Sequence, residues 1–573
     1  MNPARTFWRA RSFATTVRAS QKPPPAAPRP ARTTTTEQPS SASSFGTGTR
    51  GSTVPPPPGR TTGAAALALG LGIGAALGAG WAAYGRFGAG TGTTTTAKTP
   101  RYGSPDDVRN AIKELKEQLS DVQTDPEVIQ PYGFSSSSYH GAAPHSAVVS
   151  VQNTEDVVKV VKIANKYRIP ITVYAGGTSL EGHFGGFETG SICIDTSNMD
   201  KILEIHQEDS DLVCQAGARW EDINRTLEEK GIPLFFPLDP GPGAAIGGMV
   251  GTGCSGTNAV KYGTAKGEWF LSLTVVLPNG EVIKTRRRAH KSSAGFDITK
   301  LFIGAEGTLG IVTEATLKLA PVVPTRVAVA QFKNVEQAVS AVQEILNSPS
   351  NMNIQCVELL DDNMVKAIND SGDVPRKFAV KDSLFVKIQG SDSAIKEAAK
   401  VVKRIVEKHG ASGWDFGSSD EEAKALWHAR KVCLWSTIAS VPGSRAWTTD
   451  VCVPPSKLPL LVQETKQDMR EQGLLGTVLG HVGDGNFHAV LLFRNDEELE
   501  KVRDAVHRLV HRALRMEGTC TGEHGVGVGK KEYLVEELGP GTVELMKSIK
   551  RIVDPLGLLN PGKLYPDDDV HHK

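Results

Sequence analysis

The chain lacks the cysteine patterns that would tie it to a c-type haem, an iron–sulfur cluster or a disulfide framework. Its seven cysteines (Cys193, Cys214, Cys254, Cys356, Cys433, Cys452 and Cys520) are odd in number, and no two form a Cys-x-x-Cys pair. That spacing also excludes a zinc ribbon. Acid is almost missing from the first hundred residues, which hold 11 Lys+Arg and the single carboxylate Glu37. Of 64 basic and 63 acidic residues in the whole chain, residues 101–573 keep 53 and 62, a net of −9. A body of that sign is poorly matched to phosphate backbones, so nucleic acid is not an expected partner. At 573 residues the chain exceeds one ordinary core and is expected to hold two or more packed units.

The acid-poor start is itself a signal. Arg5, Arg9, Arg11 and Arg18 alternate with Phe7, Trp8, Phe13 and hydroxyl residues, the composition of a mitochondrial presequence over residues 1–35. A disordered basic tail is the alternative. Residues 36–62, rich in Pro, Ser and Thr, cannot bury enough apolar surface to fold and are expected to be a linker. Residues 63–85 carry no charge, enough length to span about 30 Å as a helix. Gly70, Gly74 and Gly78 recur at the small-xxx-small spacing of packed membrane helices. A Gly/Ala linker would also account for this run. Presequence followed by an apolar segment predicts an anchor in the inner mitochondrial membrane, with the body in the intermembrane space.

Two histidines, His481 and His488, flank Val-Gly-Asp-Gly-Asn-Phe, and Glu523-His524 follows in a glycine-rich loop. Val478-Leu479 and Ala489–Leu492 read as strands, and Asp484-Gly485 as a two-residue hairpin turn. That turn predicts His481 directly opposite His488, with Cβ atoms about 4.5–5.5 Å apart. Two imidazoles so placed can share one divalent ion, with Glu523 as an oxygen ligand and a position left open for substrate. A hydrogen-bonded cross-strand pair is the plainer alternative.

Glycine loops supply a second theme. Thr154 is expected to cap a helix over 154–167, and strand Ile171–Tyr174 then enters Ala175-Gly-Gly-Thr-Ser-Leu180, where converging backbone N–H groups suit an anion. Pro240-Gly241 and Gly248 lead into Gly251-Thr-Gly253-Cys254-Ser255-Gly256, a literal G-x-G-x-x-G. The Rossmann reading is rejected, because Lys261-Tyr262-Gly263-Thr264 interrupts any helix opening at the third glycine. The run Gly525–Lys531 is no Walker loop, since Lys531 stands where Ser or Thr would hold magnesium.

These motifs together resemble a known family. Tyr174–His183, Asp239-Pro-Gly, Ile246-Gly-Gly, Gly253–Thr257, Lys261–Gly263 and Phe302–Thr313 are similar to the vanillyl-alcohol-oxidase-type FAD-binding domain. His481–His488, Thr519–Gly525 and Leu559–Lys563 resemble its D-lactate/glycolate dehydrogenase branch, and Thr449–Pro454 resembles the mitochondrial members of that branch. The resemblance implies an α+β fold: a two-subdomain FAD-binding (PCMH-type) domain at 100–324, a cap with an antiparallel sheet and helices at 325–540, and a return to the FAD domain at 541–573. It further implies that Ala175, Gly176, Gly177, Thr178, Ser179 and Leu180, with Gly253, Cys254, Ser255, Gly256 and Asn258, hold FAD phosphates. Pro240, Gly241, Gly248, Glu306, Gly307 and Ile311 would line the flavin, with Tyr262 and Gly263 in the same cofactor set and Asn560 closing the site. Relatives with covalent flavin often carry a histidine where Thr178 stands, so FAD is expected to be non-covalent.

Oxidising a 2-hydroxy acid needs a base for the hydroxyl proton and a cation for the carboxylate. His524 is the expected base, with a fourth metal ligand as its alternative. Arg430, on an apolar stripe with Trp427 and Leu434, is the expected carboxylate clamp, against a plain surface salt bridge. Arg445 is a weaker candidate. The metal set His481, His488 and Glu523 is expected to hold zinc or manganese. The implied reaction is oxidation of D-lactate to pyruvate with cytochrome c as electron acceptor. D-2-hydroxyglutarate is the alternative substrate, disfavoured because Trp447-Thr448-Thr449 supplies no lysine before Asp450. A non-catalytic flavin and zinc scaffold is a third possibility.

Overall fold

The computed structural model describes residues 101–135, 138–349, 352–374 and 376–567. The expected presequence, linker and anchor lie outside the described residues. Among the described residues no helix is long and apolar enough to cross a membrane. The architecture is α+β, with three main sheets.

The first sheet runs in the order 122–123, 147–150, 192–195, 171–174, its last three strands parallel. Parallel strands need a crossover, and helix Thr154–Tyr167 supplies it. The helix is capped by Asn153, whose side chain accepts from Asp156 N, rather than by Thr154. Thr154 is already helical, and its hydroxyl donates instead to Thr313 Oγ1 of the neighbouring sheet. That second sheet is antiparallel, in the order 202–206, 211–215, 311–318, 270–276, 282–284.

From Thr325 onward the chain builds an eight-stranded antiparallel sheet, with Ile354–Leu360, Leu475–Gly480 and Asn486–Phe493 adjacent near its centre. Side chains alternate between its two faces with period two. Val357, Leu359, Ala489 and Leu491 pack under helices 335–346, 392–408 and 458–471. Cys356, Leu360, Val490 and Leu492 face helices 362–371, 420–431 and 433–439. Both faces are therefore covered, which is why these strands read as nearly continuous apolar runs. The chain then returns: Ile171 N donates to Leu558 O and Asn560 N to Ile171 O, so the C-terminal segment joins the edge of the first sheet.

Candidate active site

A cavity of about 650 Å³ lies between the glycine loops and the second face of the eight-stranded sheet, a size ordinary for a small-molecule or cofactor site. On one side it is lined by Ala175, Gly176, Gly177, Thr178, Ser179, Leu180, Pro240, Gly241, Gly248, Cys254, Gly256, Glu306, Gly307, Ile311 and Asn560. On the other side stand Arg430, His481, His488, Glu523 and His524. Gly253, Ser255, Asn258, Tyr262 and Gly263 do not line it. Gly253 takes the left-handed conformation that ends helix 246–252. Asn258 donates to Pro237 O and accepts from Gln355, and the Tyr262 hydroxyl donates to Gln389, so both brace the loop from behind.

The glycine loop fits a phosphate-bearing cofactor. Among the described residues, no backbone N–H from Gly176 to Leu180 finds an acceptor elsewhere in the protein. A Cβ on Gly176 would stand 2.3 Å from Gly243 O, so the two loops close on each other only with glycine there. Glu306, at φ 53, belongs to a turn that precedes strand Ile311–Lys318. Its carboxylate accepts from Val526 N and Gly527 N and lies 3.1 Å from His183 Nε2, which ties the glycine-loop side of the cavity to the His524 loop.

The hairpin differs from the two-residue turn. His481 O accepts from Asp484 N and Asn486 N, and Gly485 sits at φ 83, so the connection is five residues long. Leu479, not His481, is opposite His488. The two histidines are diagonal neighbours on one face, with ring centroids 5.5 Å apart. They still converge: His481 Nε2 lies 3.0 Å and His488 Nε2 3.3 Å from the same Glu523 Oε1.

The outer nitrogens are spoken for. His488 Nδ1 pairs with Thr449 O at 2.9 Å and His481 Nδ1 with Glu358 Oε1 at 2.7 Å. Burial opposes a charge on His481, but Glu358 and Glu523, one at each ring nitrogen, hold its pKa well above the ordinary imidazole value. A cation at Nε2 would displace that proton, and Nδ1 would keep the ring's N–H toward Glu358, as Thr449 O would for His488. Glu523 Oε2 is buried without a partner. Two inward nitrogens and an orphaned carboxylate oxygen fit a divalent ion. Asp450, His488, Glu523 and His524 also form a compact donor group. Asp450 is already saturated, however, accepting from Asn486, Thr521, Glu523 N and His524 N. Burial opposes its charge, but His524, Lys530 and His488 hold its carboxyl well below the usual range. It fixes the Glu523-His524 loop rather than offering a ligand atom.

His524 Nδ1 is buried without a hydrogen bond, and burial pushes its pKa below the ordinary imidazole value, with His488 and Lys530 adding to the fall against Asp450. The ring is held neutral. Arg430 is mostly buried, its side chain 12% exposed, and although desolvation disfavours its charge, Glu358 keeps its pKa raised. Its Nε donates to Glu358 Oε2 at 2.8 Å. Ser419 caps this helix by accepting from Glu422 N. The helix ends at Lys431, so Leu434 reaches the cavity from the next helix. Arg445 is not at the site, since it donates to Ser138 O and His140 O. Glu358, Asp450 and Lys530 were not marked as site residues by the sequence. Asp450 and Lys530 stand inside the motifs Thr449–Pro454 and Gly525–Lys531, but what they touch, Glu523 N and His524 N for Asp450 and Glu181 for Lys530, is set by the fold, and Glu358 lies in no motif.

Glycine loops on one wall and a histidine–carboxylate–arginine group on the other define a two-domain FAD-linked oxidoreductase. The comparisons agree. Residues 144–286 match the FAD binding domain family and residues 324–564 the FAD linked oxidases, C-terminal domain. The chain is 41% identical over 492 residues to the mitochondrial D-lactate dehydrogenase [cytochrome] of Kluyveromyces lactis, covering 83% of this chain and 84% of that one. It is 42% identical over 463 residues to the Arabidopsis thaliana protein of that description, covering 80% of each. The fold is shared with 4-ethylphenol oxidase from Gulosibacter chungangensis at a TM-score of 0.68 and 18% identity, covering 82% of this chain and 99% of that one. The chain belongs to the family of the mitochondrial D-lactate dehydrogenases (cytochrome).

Proposed function

We propose that the protein oxidises D-lactate, or a close D-2-hydroxy acid, to the 2-oxo acid in mitochondria and passes the electrons to cytochrome c. The observation that carries this is the convergence of Arg430, His481, His488, Glu523 and His524 on the cavity that the FAD loops line. When bound, FAD supplies the acceptor for the hydride from carbon 2, and a zinc or manganese ion held by His481, His488 and Glu523 supplies an electrophile for the substrate oxygens. His524, neutral and unpartnered, takes the hydroxyl proton. The Arg430 guanidinium binds the substrate carboxylate as a fixed charge.

The walls beside these groups are Trp427, Leu434, Leu479 and Val490, together with the buried, unpaired Thr448 hydroxyl. Such a surface suits a methyl group better than the second carboxylate of D-2-hydroxyglutarate. The only other Lys or Arg on the lining, Lys431, is exposed. FAD is held non-covalently, Thr178 offering no nitrogen for a flavin bond. Residues 63–85 anchor the protein in the inner membrane with its body in the intermembrane space. The testing experiment is an anaerobic flavin spectrum of the purified protein. Bleaching by D-lactate, but not by L-lactate and only weakly by D-2-hydroxyglutarate, is expected. Preferential bleaching by D-2-hydroxyglutarate would overturn the substrate assignment.

A further inference from the structure

Glu358 sits in the middle of the eight-stranded sheet with its side chain fully buried. A carboxylate is costly there unless it is fully paired. Its neighbours on the same face, Cys356 and Leu360, are part of an apolar cluster, so the position could have been filled by a hydrophobic side chain. Register explains what stands across from it: Leu359 pairs with Gly480 and Leu360 with Leu479, and continuing that ladder puts Glu358 beside His481.

The two oxygens are divided between two partners. Oε1 is 2.7 Å from His481 Nδ1, and Oε2 accepts from Arg430 Nε at 2.8 Å. Both partners line the cavity and Glu358 does not. We propose that Glu358 is a positioning residue that sets two groups of the reaction at once, the inward nitrogen of His481 and the guanidinium plane of Arg430. This rests on the metal and clamp roles assigned above.

The physical case is the same at both ends. A metal-ligating imidazole is neutral and has one N–H, and a carboxylate at Nδ1 holds it there, so Nε2 is the nitrogen left for a cation beside Glu523. A guanidinium is planar, and fixing Nε fixes the plane in which its terminal amino groups meet a carboxylate. An ion pair serving the fold alone would need only Arg430. The second oxygen on His481 joins the ion's ligand set to the group that holds the substrate's carboxylate, so cation and substrate are set in register by one side chain.

Glu358→Gln tests this. The amide keeps the shape but has one acceptor oxygen, and its NH₂ must face one of the two donors. Titrating MnCl₂ into FAD-loaded, metal-stripped protein should show an Mn²⁺ Kd raised about 10–100-fold over wild type, the range for a lost outer partner of a ligand. At saturating Mn²⁺ the KM for D-lactate should rise by about tenfold while kcat falls less, as expected for a lost ground-state contact with a charged group. Bound FAD and the thermal melt report folding. Should Glu358→Gln not accumulate, Glu358→Asp, one methylene short of both partners, is expected to show the same two changes. A variant matching wild type in Mn²⁺ affinity and in KM would overturn the role of Glu358 alone. Wild-type protein that binds no Mn²⁺ or Zn²⁺ would overturn the metal role and this proposal with it.

Discussion

His488 and His524 are stacked face to face, with ring centroids 4.9 Å apart and planes 12° from parallel. Stacked imidazoles at that distance disfavour a second positive charge, which is one reason His524 stays neutral. Their hydrogen bonding separates their roles. His488 is held by Thr449 O and aims Nε2 at Glu523, whereas His524 Nδ1 has no partner. This difference supports the proposal that His488 ligates a cation and His524 accepts a proton.

The two histidines should therefore fail in different ways. His488→Ala removes one of the inward nitrogens, so bound metal and turnover should both be lost while FAD content stays at wild-type level. Metal analysis beside the flavin spectrum checks this. Full activity in a demonstrably metal-free protein would sink the metal assignment.

His524→Ala should slow flavin reduction by D-lactate by about 10²–10⁴-fold, the usual contribution of a positioned base. Metal content should not change, since the proposed ligands are His481, His488 and Glu523, although His524 stands within reach of the same donor group. Stopped-flow reduction with parallel metal analysis separates the cases. If the metal leaves with the ring, His524 is a ligand.

Lys563, in the C-terminal return, gives a pH signature. Its ammonium is buried against Gly185 O, and burial, with Lys531 adding, pushes its pKa down to about 8 from 10.5. Between those values the unfolded chain keeps a proton that the folded lysine has lost. The unfolded state then binds more protons, so stability rises with pH across that window. The contribution is full above the unfolded value and is lost as pH falls to about 8. Lys563→Met removes it. The variant's gain in melting temperature over wild type should be largest near pH 8 and shrink toward pH 10. A constant difference across that range would show that Lys563 does not titrate there.

Local pattern made much of this site legible. Asp484-Gly485 announces a hairpin whose histidines converge, and the glycines after Tyr174 announce a loop that leaves N–H groups free. What local pattern missed was register. Asp484-Gly485 predicts a two-residue turn, whereas Asp484 N and Asn486 N both return to His481 O and lengthen it. Glu358 was invisible for a related reason. It reaches His481 across 123 residues and Arg430 across 72, and in sequence it is one acid in an apolar strand. Asp450 likewise collects donors from residues 36 to 74 positions away. The glycine motif at 253–263 was legible as a cofactor loop, but which of its residues face the cavity depends on how Asn258 and Tyr262 pack against the sheet behind.

The anchor proposed at residues 63–85 is open to a direct assay. With the body in the intermembrane space, protease added to mitochondria with ruptured outer membranes should degrade it. Protection until the inner membrane is also broken would mean a matrix enzyme.

The last prediction concerns the acceptor. The cysteine spacing provides no iron–sulfur or c-type haem motif, and electrons leaving the flavin are expected to go to a separate molecule. In the intermembrane space the soluble one-electron carrier is cytochrome c, a basic protein. Residues 101–573 carry a net charge of −9, which favours encounter with a basic partner and weakens as salt screens it. Two cytochromes should be reduced for each D-lactate oxidised. Raising ionic strength from about 10 mM to 150 mM shortens the screening length from about 30 Å to about 8 Å. It should slow cytochrome reduction while leaving flavin reduction by D-lactate, a reaction inside the cavity, nearly unchanged. Equal salt sensitivity of both steps would remove the steering argument. If D-lactate reduces the flavin but only quinones reoxidise it, the acceptor assignment fails and the substrate assignment stands.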